Sequence, residues 1–215
     1  MKPLQILFLL TLLQSAFITN AQDFKIIKDT DGYILKEVDS VYYYTHGIEP
    51  KNDFIIDTNK IHKVNGVLKL PLDNGTWLRY RDTLDFSEGR ERYEYEGFNK
   101  KINCYLVNNE GWEWWYEYLI SKATGQIDTI GYHPIYSPSY KFCGYFLNMY
   151  NLGSFGNVAF KNINSKKEIK INFEKELPNG IKWIDDNSFL FYSDLWNNDS
   201  NKVLYKKYYL VQIKK

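Results

Sequence analysis

Gly111-Trp112-Glu113-Trp114-Trp115-Tyr116-Glu117-Tyr118 holds the densest aromatic chemistry in the chain. Alternate side chains of a strand share a face. As a strand, this segment places Trp112, Trp114, Tyr116 and Tyr118 on the core side and Glu113, Trp115 and Glu117 on the polar side. A Trp held between two carboxylates at a surface can stack on a sugar ring or anchor a protein partner; packing against a neighbouring strand is the alternative use of the same ring. Tyr42-Tyr43-Tyr44-Thr45-His46 is a second aromatic run, and as a strand it shows Tyr on both faces. The binding candidates are therefore Trp115 first, with Tyr43, Trp112 and Trp114 beside it.

Other reactive side chains are sparse. Cys104 and Cys143 both fall in strand-like surroundings. They are either a disulfide pair, worth about 3–4 kcal/mol in the chain-entropy account, or two reduced thiols acting as small apolar residues. A nucleophilic Cys needs a base and an electropositive setting, and neither flanks these two. His46, His62 and His133 are scattered, without the short spacings that bind zinc, so no metal site and no cofactor is expected. Glu94 and Glu96, like Glu113 and Glu117, share one strand face. Glycoside hydrolysis needs two carboxylates facing each other across a cleft, so neighbours on one strand read better as a solvated surface. No nucleophile elbow, phosphate-cradling glycine loop or dinucleotide fingerprint occurs.

Composition narrows the classes further. The 215 residues carry 27 Lys+Arg against 26 Asp+Glu, a formal charge of +1, which gives no surplus of cations for nucleic acid. Arg79, Arg81, Arg90 and Arg92 stand beside Asp82, Asp85, Glu88 and Glu91 and read as a salt-bridged surface. A hydrophobic fraction of 44% with 19 Tyr, 13 Phe and 6 Trp excludes a disordered chain.

The N-terminus reads as an address. Lys2 precedes an apolar run from Leu4 to Ile18, followed by Thr19-Asn20-Ala21. This is the order of a secretory signal peptide cut after Ala21. The run is short for a bilayer span and two Gln interrupt it. Residues 1–21 are thus expected to be a signal peptide and residues 22–215 a single all-β domain, secreted or periplasmic, with no membrane span after cleavage.

The elements that must position the candidates read as strands. Ala is nearly absent after residue 21, while β-branched and aromatic residues recur at regular intervals. Expected strands include Tyr33–Val38, Val41–Tyr44, Phe54–Asp57, Val67–Leu72, Thr76–Arg81, Ile102–Val107, Tyr116–Ser121, Lys141–Leu147 and a closing Tyr205–Ile213. Asp73-Asn74-Gly75 and Thr124-Gly125 are hairpin turns by composition, because Asn and Gly accept positive φ at little cost.

Two stretches share a layout: Tyr118 to Phe142, with a turn at Tyr136-Ser137-Pro138-Ser139, and Val158 to Phe189, with a turn at Asp185-Asp186-Asn187. Ile135 and Ile181 correspond, about 46 residues apart, near the length of a four-stranded propeller blade. Pro134-Ile135-Tyr136-Ser137-Pro138-Ser139 resembles the Pro-x-aromatic-Ser-Pro-Asp turn of Tol-type periplasmic β-propellers, with Ser139 in place of Asp. The second copy, Trp183-Ile184-Asp185-Asp186, keeps the aromatic and one Asp but lacks Pro. The chain also resembles a group of small exported proteins of Bacteroidetes-type bacteria, through Tyr118-Leu119-Ile120, Thr124-Gly125 and the Pro134–Pro138 turn. The resemblance covers roughly residues 112 to 192. It implies a small or partial β-propeller-like arrangement of antiparallel hairpins, with a β-sandwich as the alternative, and binding through loops and a central face.

The expected function is that of an exported, non-enzymatic protein engaging a protein or glycan through aromatic-rich loops. An envelope inhibitor or immunity-type protein, and a hydrolase with a cryptic carboxylate pair, are the alternatives.

Overall fold

A computed structural model describes residues 24–49, 53–83, 89–112, 114–147, 156–173, 176–197 and 202–214. The expected signal peptide lies outside the described residues. Those described form sixteen strands and one short helix in four antiparallel sheets, so the chain is all-β.

Sheet I unites both ends of the chain. β1 (Lys25–Asp29) and β2 (Tyr33–Val38) join β14 (Glu176–Asp185), β15 (Ser188–Asn197) and β16 (Lys202–Ile213) in the order β1-β2-β16-β15-β14. The last strand pairs with β2 from Tyr208↔Val38 to Ile213↔Tyr33, so the C-terminal strand closes the fold as its composition suggested. The other sheets are meanders in chain order. Sheet II holds β3 (Lys63–Val64), β4 (Val67–Pro71) and β5 (Trp77–Arg81). Sheet III holds β6 (Arg92–Asn99), β7 (Cys104–Glu110), β8 (Trp115–Ser121) and β9 (Ile127–Ile130). Sheet IV holds β10 (Tyr132–Tyr136), β11 (Phe142–Leu147), β12 (Asn157–Asn162) and β13 (Glu168–Asn172).

The sheets stack through alternate residues. Leu68 and Leu70 of sheet II meet Tyr105, Val107 and Ile120 of sheet III. Leu106, Leu119 and Ile130 on the other face of sheet III meet Cys143, Tyr145 and Ala159 of sheet IV. Phe142, Phe146, Val158 and Phe160, on the opposite face of sheet IV, meet Trp183, Phe189, Phe191 and Val211 of sheet I. Sheet IV is thus covered on both sides, and β11 is almost wholly buried instead of alternating with solvent. Each large side chain removed from water here contributes about 1.5–3 kcal/mol.

This succession of face-packed blades is propeller-like, but the fan is open. Among the described residues no apolar cluster joins sheet II to sheet I. The outer face of sheet I is instead covered by α1 (Ser40–Thr45), with Tyr43 against Val38, Leu190 and Leu210. The segment expected as a strand, Val41–Tyr44, is therefore helical. Asp39 decides this locally: its carboxylate accepts the Tyr42 N–H at 2.7 Å and caps the first turn. Phe54–Asp57 is likewise no strand. Only Ile55 pairs, exchanging both backbone hydrogen bonds with Phe98 at the edge of β6.

The internal repeat has a structural counterpart. Ile135 lies on β10 and Ile181 on β14, the first strands of the two meanders, and the Trp183 indole N–H donates to the Ile135 carbonyl at 2.8 Å. The two repeat turns also touch, since the Ser139 N–H donates to the Asp186 carboxylate at 2.8 Å.

Candidate functional site

The aromatic segment forms the tip of the β7–β8 hairpin. The Gly111 N–H donates to the Trp114 carbonyl at 2.7 Å, closing a tight turn, and pairing begins at Glu110↔Trp115. Trp112 and Trp114 therefore belong to the turn, and the alternation expected from a strand starting at Trp112 does not apply to them. Trp112 is 60% exposed. Trp114 folds back over Gly111, where a Cβ would stand 2.2 Å from its indole. Only a glycine leaves room for that indole. Trp114 then tilts 30° against Tyr116, with ring centroids 5.5 Å apart.

The faces of β8 correct the sequence reading. Tyr116 is exposed and Glu117 is buried, the reverse of the expected polar and apolar sides. The strand is covered on both faces, by sheet II and sheet IV, so one side could not remain a solvated row of carboxylates. Tyr118 packs among the rings between sheets II and III, where its hydroxyl accepts from the Asn109 amide at 2.7 Å. Trp115 opens β8 in the backbone; its side chain lies outside the described residues.

Tyr43 is not a surface binder. It is buried, its ring lies edge-on to Tyr192, and its hydroxyl donates to the Gly180 carbonyl at 2.6 Å. Burial, with the nearby Tyr192 and Tyr44 hydroxyls, raises its pKa. Tyr43 anchors α1 to sheet I. The exposed neighbours on the helix are Val41 and Tyr44.

Cys104 and Cys143 are separate thiols in the same apolar cluster between sheets III and IV. Burial pushes the Cys104 thiol up to about 11 and the Cys143 thiol to about 12, so neither is a ready thiolate. Beside them runs a polar network that the sequence did not announce. Asp128 of β9 accepts from the Lys161 ammonium of β12 and pairs with Lys166 at 3.1 Å. Glu168 of β13 accepts from the Tyr145 hydroxyl and pairs with Lys170 at 2.9 Å. Burial alone would raise the Glu168 carboxyl, but the Tyr145 hydroxyl and Lys170 outweigh it and hold it below the ordinary carboxylate range. These partners lie 33 and 23 residues apart in sequence, so only the pairing of sheets reveals them.

At the end of the fan opposite the aromatic hairpin, turns of three sheets meet the segment following α1. Ile48 bridges to Trp183 of sheet I, and Ile55 to Phe98 of sheet III. Between these bridges lies a cleft of about 220 Å³, lined by Glu49, Asp53, Lys101, Tyr136 and Tyr140 among others. Its polar groups are committed to one another. Asp53 accepts from Lys101 at 2.9 Å and from the Tyr140 hydroxyl, and Glu49 pairs with Lys182. The cleft acts as a joint between blades, as do the Asp73 carboxylate, Asn103 amide and Lys122 ammonium that tie the neighbouring turns.

Glu94, read as part of a solvated face, accepts from Lys63 at 3.0 Å and from Arg92 at 2.8 Å. Among the described residues no group of three His, Cys, Asp or Glu is placed to hold a metal ion, and no helix is long and apolar enough to cross a membrane. The chain matches no family model, no curated protein and no solved structure.

Proposed function

We propose that the protein is an exported, non-enzymatic binding protein that holds a glycan against the tip of its β7–β8 hairpin. One observation carries this reading. Trp112 is 60% exposed in a turn closed by the Gly111–Trp114 hydrogen bond, and the half-buried Trp114 and exposed Tyr116 that follow it in the hairpin tilt their rings against each other. A pyranose presents an apolar C–H face to such rings while its hydroxyls stay hydrated, and the Trp114 and Tyr116 rings, already packed on each other, lose little entropy on binding. The flanking side chains favour a sugar over a large protein interface. Glu110, the residue before the turn, is an exposed acceptor, whereas a protein anchor is ordinarily enclosed by a wider apolar rim. The leader-like N-terminus supports export.

Screening of the purified protein on an array of neutral and charged glycans tests the proposal. The expected result is a set of related glycans bound by the native protein and lost in Trp112→Ala. Capture of one protein partner with no glycan bound would favour the inhibitor reading, and hydrolysis of a bound glycan the enzymatic one; either result contradicts the proposal.

A further inference from the structure

Sheet II is the last blade of the open fan, and one of its faces is left to solvent. Leu68 and Leu70 of β4 and Leu78 and Tyr80 of β5 turn inward to sheet III. The alternate residues turn outward. The register sets Lys69 directly across from Arg79, Pro71 across from Trp77, and Val67 across from Arg81. Lys69, Arg79 and Arg81 are exposed, and Trp77 is 53% exposed.

This face breaks a local rule of sheet design. Opposed side chains have Cβ atoms ~5 Å apart, and like charges placed so destabilise the pair. Arg81 stands two residues along the strand, ~7 Å from Arg79, so three cations share one small surface. Among the described residues none of the three forms an ion pair. Asp82, which follows Arg81, and Asp73, in the β4–β5 turn, are committed elsewhere. Asp82 pairs with Lys63 at 2.8 Å and accepts the Tyr93 N–H, and Asp73 pairs with Lys122. Of the acids read beside Arg79 and Arg81, Asp85 and Glu88 lie outside the described residues, while Asp82 pairs with Lys63 and Glu91 accepts from the Tyr93 hydroxyl. Violations of local consistency concentrate where a surface has a use.

We infer that the outer face of sheet II is a docking site for an anionic polysaccharide, one bearing carboxylate or sulfate groups. Arg79 and Arg81 present planar forks suited to such groups, and Lys69 adds a point charge. Trp77, on the same face, supplies a ring for a sugar. That ring and the near-zero net charge of the whole chain favour a polysaccharide over nucleic acid, which needs cations along an extended track. The inference rests on different residues from the hairpin tip and stands whether or not that site binds.

Isothermal titration of the purified protein with oligogalacturonate and with a heparin oligosaccharide tests it, at about 0.05 M and ~0.2 M NaCl. A neutral gluco-oligosaccharide and single-stranded DNA of equal length are the comparison ligands. The expected result is binding of at least one anionic sugar, weakened by salt, with the salt slope reduced by about one for each cation removed. The triple variant Lys69→Gln/Arg79→Gln/Arg81→Gln should lose binding by about tenfold or more. Its thermal midpoint should equal or exceed the wild-type value, because repulsion is relieved. Removing Lys25 and Lys28 instead should leave affinity within about twofold, since both belong to β1 of sheet I. No binding of either anionic sugar, or equal binding by the triple variant, would overturn the inference and leave the cations as guards of the β5 edge. Tighter binding of DNA than of either sugar would overturn it in favour of a nucleic-acid surface.

Discussion

The hydroxyl of Tyr43, on the short helix, donates to the carbonyl of Gly180 on β14 at 2.6 Å. That bond fixes α1 on the face of sheet I that a closed ring of blades would offer to sheet II. Gly180 has φ +61, and a Cβ there would stand 2.4 Å from the Tyr192 ring and 2.6 Å from the Tyr43 hydroxyl. Tyr43→Phe should cost about 1 kcal/mol, the worth of one hydrogen bond. Gly180→Ala should cost more, about 2–4 kcal/mol, by combining backbone strain with overpacking. Chemical denaturation of the two variants measures both.

Trp114 lies over Gly111 with no space for a methyl group. Gly111→Ala should displace that indole and lower stability by about 1–3 kcal/mol, with a red shift of tryptophan emission. Trp112→Ala, by contrast, should change stability by less than about 0.5 kcal/mol, because most of its side chain is exposed. Equal destabilisation by the two substitutions would contradict the described turn.

The Glu168 carboxyl is held below its ordinary value of 4.5 in the folded state. A depressed folded pKa contributes stability that is present above the unfolded pKa and disappears as pH falls through the folded one. Glu168→Gln should therefore be less stable than wild type at neutral pH, and the difference should shrink between about pH 5 and pH 3. Thermal midpoints across that range test the sign; a difference that grows toward acid would contradict it.

Cys104 and Cys143 are free and their thiols are shifted upward by burial. At pH 8 an alkylating reagent should label the native protein far more slowly than the denatured one. Denaturation without reductant should then release two thiols per chain. Finding none would show that a disulfide joins β7 to β11.

Much of the fold was legible because the signals were local. Gly75 and Gly125 adopt φ +81 and +76 in the hairpins that Asn74-Gly75 and Thr124-Gly125 announced. Ile135 and Ile181, linked by the repeat, lie on β10 and β14, the first strands of two meanders. The failures trace to tertiary causes. Tyr42 to Tyr44 have the composition of a strand, but the Asp39 cap and packing on sheet I make a helix. The strand period placed Glu117 in water, but a second sheet covers that face. The meaning of Arg79 depended on which strand lies opposite, and that register brings Lys69, not a carboxylate, to it.

The central claim is that the exposed rings of the β7–β8 tip hold a sugar. Its most direct test is a calorimetric titration of one array-selected neutral glycan into wild type, Trp112→Ala and the Lys69/Arg79/Arg81 triple variant, each shown to be folded. The account predicts binding by wild type and the triple variant, and affinity at least about tenfold weaker in Trp112→Ala. Unchanged affinity in Trp112→Ala would contradict it.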